Sequence, residues 1–213
     1  MRDGVVAHQF DDLEQQNEAD RLGMWVFLIT EVLFFGGMFT AYIEYRTIHP
    51  QAFSIASHHL DYWMGTINTA LLLVSSMTMA LAVHGAQRGK RWISALFLFC
   101  TIVLGLGFLG VKFWEYAKHI NEGLVPGRGF KYMGPYAREV ELFMSFYFLM
   151  TGMHALHMTI GVCVVTVMLL LTLAGKITRV YHSPIVIAGL YWHFVDIVWI
   201  FLYPCFYLIG GPK

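Results

Sequence analysis

Charged residues are scarce in this sequence, at 13% of 213 residues, where a soluble domain typically carries about 25%. No sign of charge is in excess either: 14 Lys and Arg balance 14 Asp and Glu, so nothing points to a nucleic-acid partner. Only three cysteines occur, Cys100, Cys163 and Cys205, far apart and each inside an apolar run. That spacing excludes a disulfide frame and a zinc site, and leaves them as small hydrophobes in helix packing. A basic-then-apolar secretory start is also missing, because residues 1–20 hold Asp3, Asp11, Asp12, Glu14, Glu18 and Asp20. That stretch reads as a polar tail or a short surface helix, and the first apolar run must itself direct insertion.

What is abundant is apolar length, with 57% hydrophobic residues including 17 Phe, 12 Met and 6 Trp. A helix crosses about 30 Å of hydrocarbon with roughly 20 mostly apolar residues. Five runs qualify, at about 21–45, 64–86, 92–116, 141–174 and 186–210. The fourth is long enough that it should tilt or project beyond the bilayer. No alternating ten-residue pattern suggests a barrel, and lone strands would leave backbone groups unpaired in lipid. The fold class is therefore all-α, an integral membrane bundle of five transmembrane helices, following a polar segment 1–20. Arg88, Lys90 and Arg91 lie between the second and third spans, and Lys176 and Arg179 between the fourth and fifth. The positive-inside rule then puts the N-terminus in the cytoplasm and the C-terminus outside. Lys118, Arg128, Lys131 and Arg138 in the third loop count against that orientation.

Ionisable groups inside spans are costly and mark function or helix–helix bonding. Glu31 lies near the middle of the first span, with no charge within four residues to neutralise it. It must face other helices. His154 and His157 share one face of the fourth span; His154 is expected at comparable depth and is the candidate partner, either for a proton-linked role or for a bond that only fixes packing. The fifth span opens with Tyr191, Trp192, His193 and Asp196, and the last two are three apart and able to pair. Near a span end they read as an interfacial anchor or as a contact for lipid or a neighbouring subunit. Lys112 and Glu115 repeat that theme at the outer end of the third span, within snorkelling reach of the interface.

A haem held between helices needs histidines at matched depth on two of them. Only the fourth span has imidazoles near its middle, since His84 and His193 lie near span ends and His182 is in a loop. No metal site is expected. Gly105, Gly107 and Gly110 spell the dinucleotide fingerprint, but no strand precedes them and they sit inside an apolar span. There, glycines serve close helix approach, as Gly36 with Thr40 and Gly152 with Ala155 also should.

Specific strings go further. RLGMWVFLITEVLFFGGM (21–38), INTALLLVSSMTMA (67–80), GFLGVKFWEY (107–116), TGMHALHMTIG (151–161) and YWHFVDIVWIFLYP (191–204) follow one another, one per span. In that order they resemble the cytochrome c oxidase subunit III family, in its short bacterial form of five spans rather than seven. The resemblance covers about 190 residues. It implies a chain that binds no haem or copper itself; those belong to partner subunits of a haem-copper cytochrome c oxidase, which reduces oxygen and pumps protons in the bacterial cytoplasmic membrane. Subunit I would be the main contact, with subunit II nearby. Structural phospholipid and support for proton uptake and sustained turnover are implied as well. Glu31, His154, His157, His193, Asp196 and Glu115 match the family's positions. Two helices of the longer members are missing, and with them one wall of a lipid-filled cleft. Within the family, a nitric-oxide-reductase partner and a quinol oxidase remain open. Outside it stand a small proton-coupled transporter, which should show inverted repeats or broken helices, and a membrane b-type cytochrome.

Overall fold

The computed structural model describes residues 9–208. Among them the chain is all-helical: α1 (Leu13–Ile48), α2 (Pro50–Ser57), α3 (Tyr62–Gln87), α4 (Arg91–Asn121), α5 (Ala137–Leu173) and α6 (Ser183–Tyr207). All but α2 are long and apolar enough to cross a membrane, in keeping with the five runs read from the sequence. Their bounds differ in an instructive way. α1 begins at Leu13, capped by the Asp12 carboxylate accepting from Gln15 N at 2.8 Å. Residues 13–20 are thus the opening turns of the first span and not a separate element, while residues 1–8 lie outside the described residues. At 36 and 37 residues, α1 and α5 each run about 55 Å at 1.5 Å per residue, well beyond a hydrocarbon core.

The spans α3, α4, α5 and α6 pack in a closed square, each against two others, and α1 lies outside it, mainly along α6. The short α2 folds back onto α5. Its Phe53, beside Tyr42 and Phe143, is fully buried, so α2 plugs the C-terminal end of α1 against the square. The core is aromatic: Trp192, Trp199, Phe108, Tyr147 and Phe206 are all enclosed.

Helix ends follow from local chemistry. α3 and α5 stop at Gly89 (φ 70°) and Gly175 (φ 74°). In each, the residue after the glycine bonds back across the last turn, Lys90 N to Gly85 O at 2.9 Å and Lys176 N to Leu171 O at 3.0 Å. This left-handed cap fits a residue without Cβ and leaves a short, tight connection. The fingerprint-like glycines divide: a Cβ on Gly105 would lie 2.7 Å from the Trp192 ring, while one on Gly110 would meet nothing within 4 Å. Gly36 also meets nothing, and Gly152 only the Tyr116 hydroxyl at 3.8 Å. Close approach is instead made at Gly65, Gly105, Gly161 and Gly189, the positions that face into the square.

Candidate functional site

Three groups of polar side chains sit inside the spans. The first joins α1 to α5. Glu31 is 18 residues into α1, about 27 Å along a helix of roughly twice that length. Its Oε2 lies 3.0 Å from His157 Nε2. His157 Nδ1 donates to the Met153 carbonyl at 2.8 Å, which fixes the proton on Nδ1 and leaves Nε2 facing the carboxyl. Two arrangements satisfy this geometry: a protonated carboxyl donating to neutral imidazole, or a carboxylate accepting from imidazolium. Both carry one proton between the two groups and no net charge, the condition for lodging an acid at membrane depth. Phe35 packs edge-on against His157 at 5.2 Å, and Tyr191 donates to the His157 carbonyl at 3.1 Å.

The partner expected from the sequence was His154, and that expectation is corrected. His154 is fully buried one turn away, between Phe108 (5.4 Å) and Trp199 (5.2 Å), with neither ring nitrogen hydrogen-bonded. Three residues turn a helix through about 300°. The two imidazoles therefore diverge enough for one to face α1 and the other the interior of the square.

The second group lies within the square. Lys112 and Glu115 were expected to reach the interface; they are 2% and 0% exposed. α4 runs on to Asn121, five residues past the anticipated end at 116, which draws the pair inward. Lys112 Nζ donates to Glu115 Oε2 at 2.9 Å, Tyr207 Oη at 2.9 Å and Tyr147 Oη at 3.0 Å. All three ammonium protons are used. The Tyr207 hydroxyl donates to Glu115 Oε1 at 2.7 Å, and the Trp199 ring lies 5.2 Å from the ammonium. One cluster thus pins α4, α5 and α6 together.

The third group closes α3 against α6. Thr66 meets the Tyr203 hydroxyl at 2.8 Å, Trp199 Nε1 donates to Thr69 at 3.0 Å, Trp192 Nε1 donates to Ser75 at 3.1 Å, and Ser76 lies 2.8 Å from His193 Nδ1. Four hydroxyls on one helix thus answer four ring groups on the other. His193 is bound to Ser76 and does not pair with Asp196. It lies ten residues into α6, about 15 Å from that helix's start, because the helix opens at Ser183 and not near Tyr191. Trp192 and Asp196, expected at a contact surface, are 0% and 4% exposed. The Asp196 carboxyl lies within reach of the Ser76 hydroxyl, which already meets His193, and makes no well-formed hydrogen bond to a described group. The α3 hydroxyls are not legible as a stripe in the sequence, because Thr66, Thr69, Ser75 and Ser76 are spaced by three, six and one residues.

Among the described residues no three His, Cys, Asp or Glu side chains converge as a metal site. The family model described as Cytochrome c oxidase subunit III matches residues 11–211. The chain belongs to that family. Its relatives include quinol oxidase subunit 3 of Bacillus subtilis (strain 168), 31% identical with 93% of this chain and 92% of the relative covered. Probable quinol oxidase subunit 3 of Staphylococcus haemolyticus (strain JCSC1435) is 27% identical over 94% of both chains. The corresponding protein of Staphylococcus epidermidis (strain ATCC 12228 / FDA PCI 1200) is 28% identical over 96% of both. Subunits III are components of haem-copper oxidase complexes, which places this multi-pass membrane chain in an assembly with a subunit I. The Lys112 cluster is closed, whereas the glutamate–histidine pair, with side-chain exposures of 18% and 11%, and the Thr66–Tyr203 and Ser76–His193 contacts are only partly buried.

Proposed function

We propose that this chain is the non-catalytic subunit III of a bacterial haem-copper terminal oxidase that takes its electrons from a quinol. Haem and copper belong to the partner subunits. This chain packs on subunit I, with subunit II in the same complex, holds structural phospholipid, and supports proton uptake during turnover. Its N-terminus lies in the cytoplasm and its C-terminus outside. The observation that carries the reading is the agreement along nearly the whole chain with relatives named quinol oxidase subunit 3, at 27–31% identity. Those names favour quinol over cytochrome c as the donor to the complex. The interior chemistry is consistent with a supporting role: Lys112 spends every proton on structural partners, and Glu31 meets a single imidazole.

Purification of the tagged chain from native membranes in mild detergent tests this directly. Haem and copper should co-purify in fixed ratio, and the preparation should consume oxygen with a reduced quinol and not with reduced cytochrome c. Recovery of a lone, colourless chain would end the oxidase reading. Turnover with cytochrome c alone would end only the choice of donor.

A further inference from the structure

The two turns on the side of the bundle where α1 begins carry five exposed cations: Arg88, Lys90, Arg91, Lys176 and Arg179. The fold brings these turns together. A methyl on Gly89 would lie 3.4 Å from Arg179 Cβ, and one on Gly175 would lie 3.2 Å from an Arg91 guanidinium nitrogen. Residues 62–114 and 142–195 contain neither Asp nor Glu, so any neutralising acid must come from α1, where Asp20 accepts from the Ser183 hydroxyl at 3.5 Å just beyond the α5–α6 turn. Among the described residues none of the five is in an ion pair. The acids of this side, from Asp11 to Asp20, all sit on or just before α1, the helix outside the square. The two turns therefore form a basic patch bordered by the acids of α1, with Asp20 touching the start of α6.

Directly below the basic patch the surface changes to hydrocarbon-loving. Trp92 is 72% exposed, with the Arg91 guanidinium 5.4 Å from its ring centre. Leu96, Phe99 and Val103 continue down the same face of α4, all more than half or about half exposed. From Trp92 to Val103 is eleven residues, about 16 Å of rise, which matches one leaflet's share, roughly 15 Å, of a hydrocarbon core. An indole at the headgroup level above an apolar stripe, with cations over it, has the profile of a phospholipid and not of an acidic protein segment.

We infer that the α3–α4 and α5–α6 turns form one headgroup site for an anionic phospholipid, its phosphate between Arg91 and Arg179 and its acyl chains along the α4 stripe. This deepens the proposed lipid-holding role and relocates it. The residues first expected to touch lipid, Trp192, Asp196, Lys112 and Glu115, are enclosed within the bundle.

The test uses the purified complex carrying this subunit, exchanged into mild detergent and titrated with phosphatidylglycerol or phosphatidylcholine, with bound lipid counted by native mass spectrometry. The double variant Arg91→Gln/Arg179→Gln leaves Arg88, Lys90 and Lys176 to maintain membrane orientation. A cation at a membrane surface contributes about a factor of five in binding, so the variant should hold phosphatidylglycerol about thirty-fold more weakly. Arg128→Gln/Arg138→Gln, on the opposite side, should leave retention unchanged. Equal phosphatidylglycerol binding by the wild type and the Arg91/Arg179 variant would overturn the inference, as would equal binding of phosphatidylcholine by the wild type. Cross-linking of Lys90 or Lys176 to an acidic protein segment in the native complex would overturn it too. Failure of haem to co-purify counts against the oxidase reading, while the lipid count is read from the same chain regardless.

Discussion

Glu31 and His157 share one proton and no net charge, and that neutrality is what a carboxyl at membrane depth requires. Substituting Glu31→Gln keeps a hydrogen-bond donor toward His157 Nε2 and removes the shareable proton. Assembly and haem content should therefore be unchanged, with a modest change in proton-linked turnover; loss of haem from the complex would contradict this account. The strength of the pair is accessible to a double-mutant cycle with Glu31→Leu and His157→Leu, neither of which can hydrogen-bond the other partner, read as resistance of the subunit to unfolding in detergent. Membrane hydrogen bonds measured this way average about 0.6 kcal/mol and reach about 1.7, and a partly open pair should fall within that range. Lys112 is a different case, because it is enclosed in the square, 2% exposed. Lys112→Met strands the Glu115 charge in the square and should cost about 3–5 kcal/mol. Lys112→Met combined with Glu115→Leu removes both charges and should recover most of that loss. If the double variant unfolds as readily as the single, the pair is not what holds this region.

At the scale of elements, the spans could be read from hydropathy because their length is set by the bilayer, and five emerge on either route. Their ends could not. The polar turns 13–20 extend α1 because the Asp12 cap outweighs the absence of an apolar face. α2 is only eight residues, too short for periodicity to register. The rotation of a helix about its axis was equally hidden. His154 and His157 are equivalent in the sequence, and only the packing of α5 between α4 and α1 decides which one meets Glu31. Glycines show the same limit. Gly105 and Gly110 look alike in the string GLGFLG, yet one faces Trp192 and the other faces nothing. Gly105→Ala should push α4 from α6 and cost about 1–3 kcal/mol, the usual range for overpacking. Gly110→Ala should be neutral or stabilise by up to about 1 kcal/mol, the helix preference of alanine over glycine. Thermal unfolding of the two variants in one detergent separates them, and equal destabilisation would refute the assignment of the α4–α6 contact to Gly105.

For the whole molecule, the square and the outrigger differ in what holds them. α3 to α6 are tied by the enclosed Lys112 cluster and by four hydroxyl–ring bonds between α3 and α6. α1 has the Glu31–His157 pair, a hydrogen bond from Tyr42 to the Cys205 carbonyl, and the α2 plug. Its apolar stretch is 17% buried, against 61% for α6. Local opening draws on the segments with the fewest buried contacts, so α1 should be the least protected span of the isolated subunit. Hydrogen exchange followed by mass spectrometry should show amides of α1 near Trp25–Val32 exchanging well before those of α6 near Phe194–Leu202. In the assembled complex the difference should narrow if a neighbouring subunit covers α1, and persist if lipid alone does. Protection of α1 equal to that of α6 in the isolated chain would mean that the glutamate–histidine pair and the α2 plug bind the outrigger as firmly as the square binds itself.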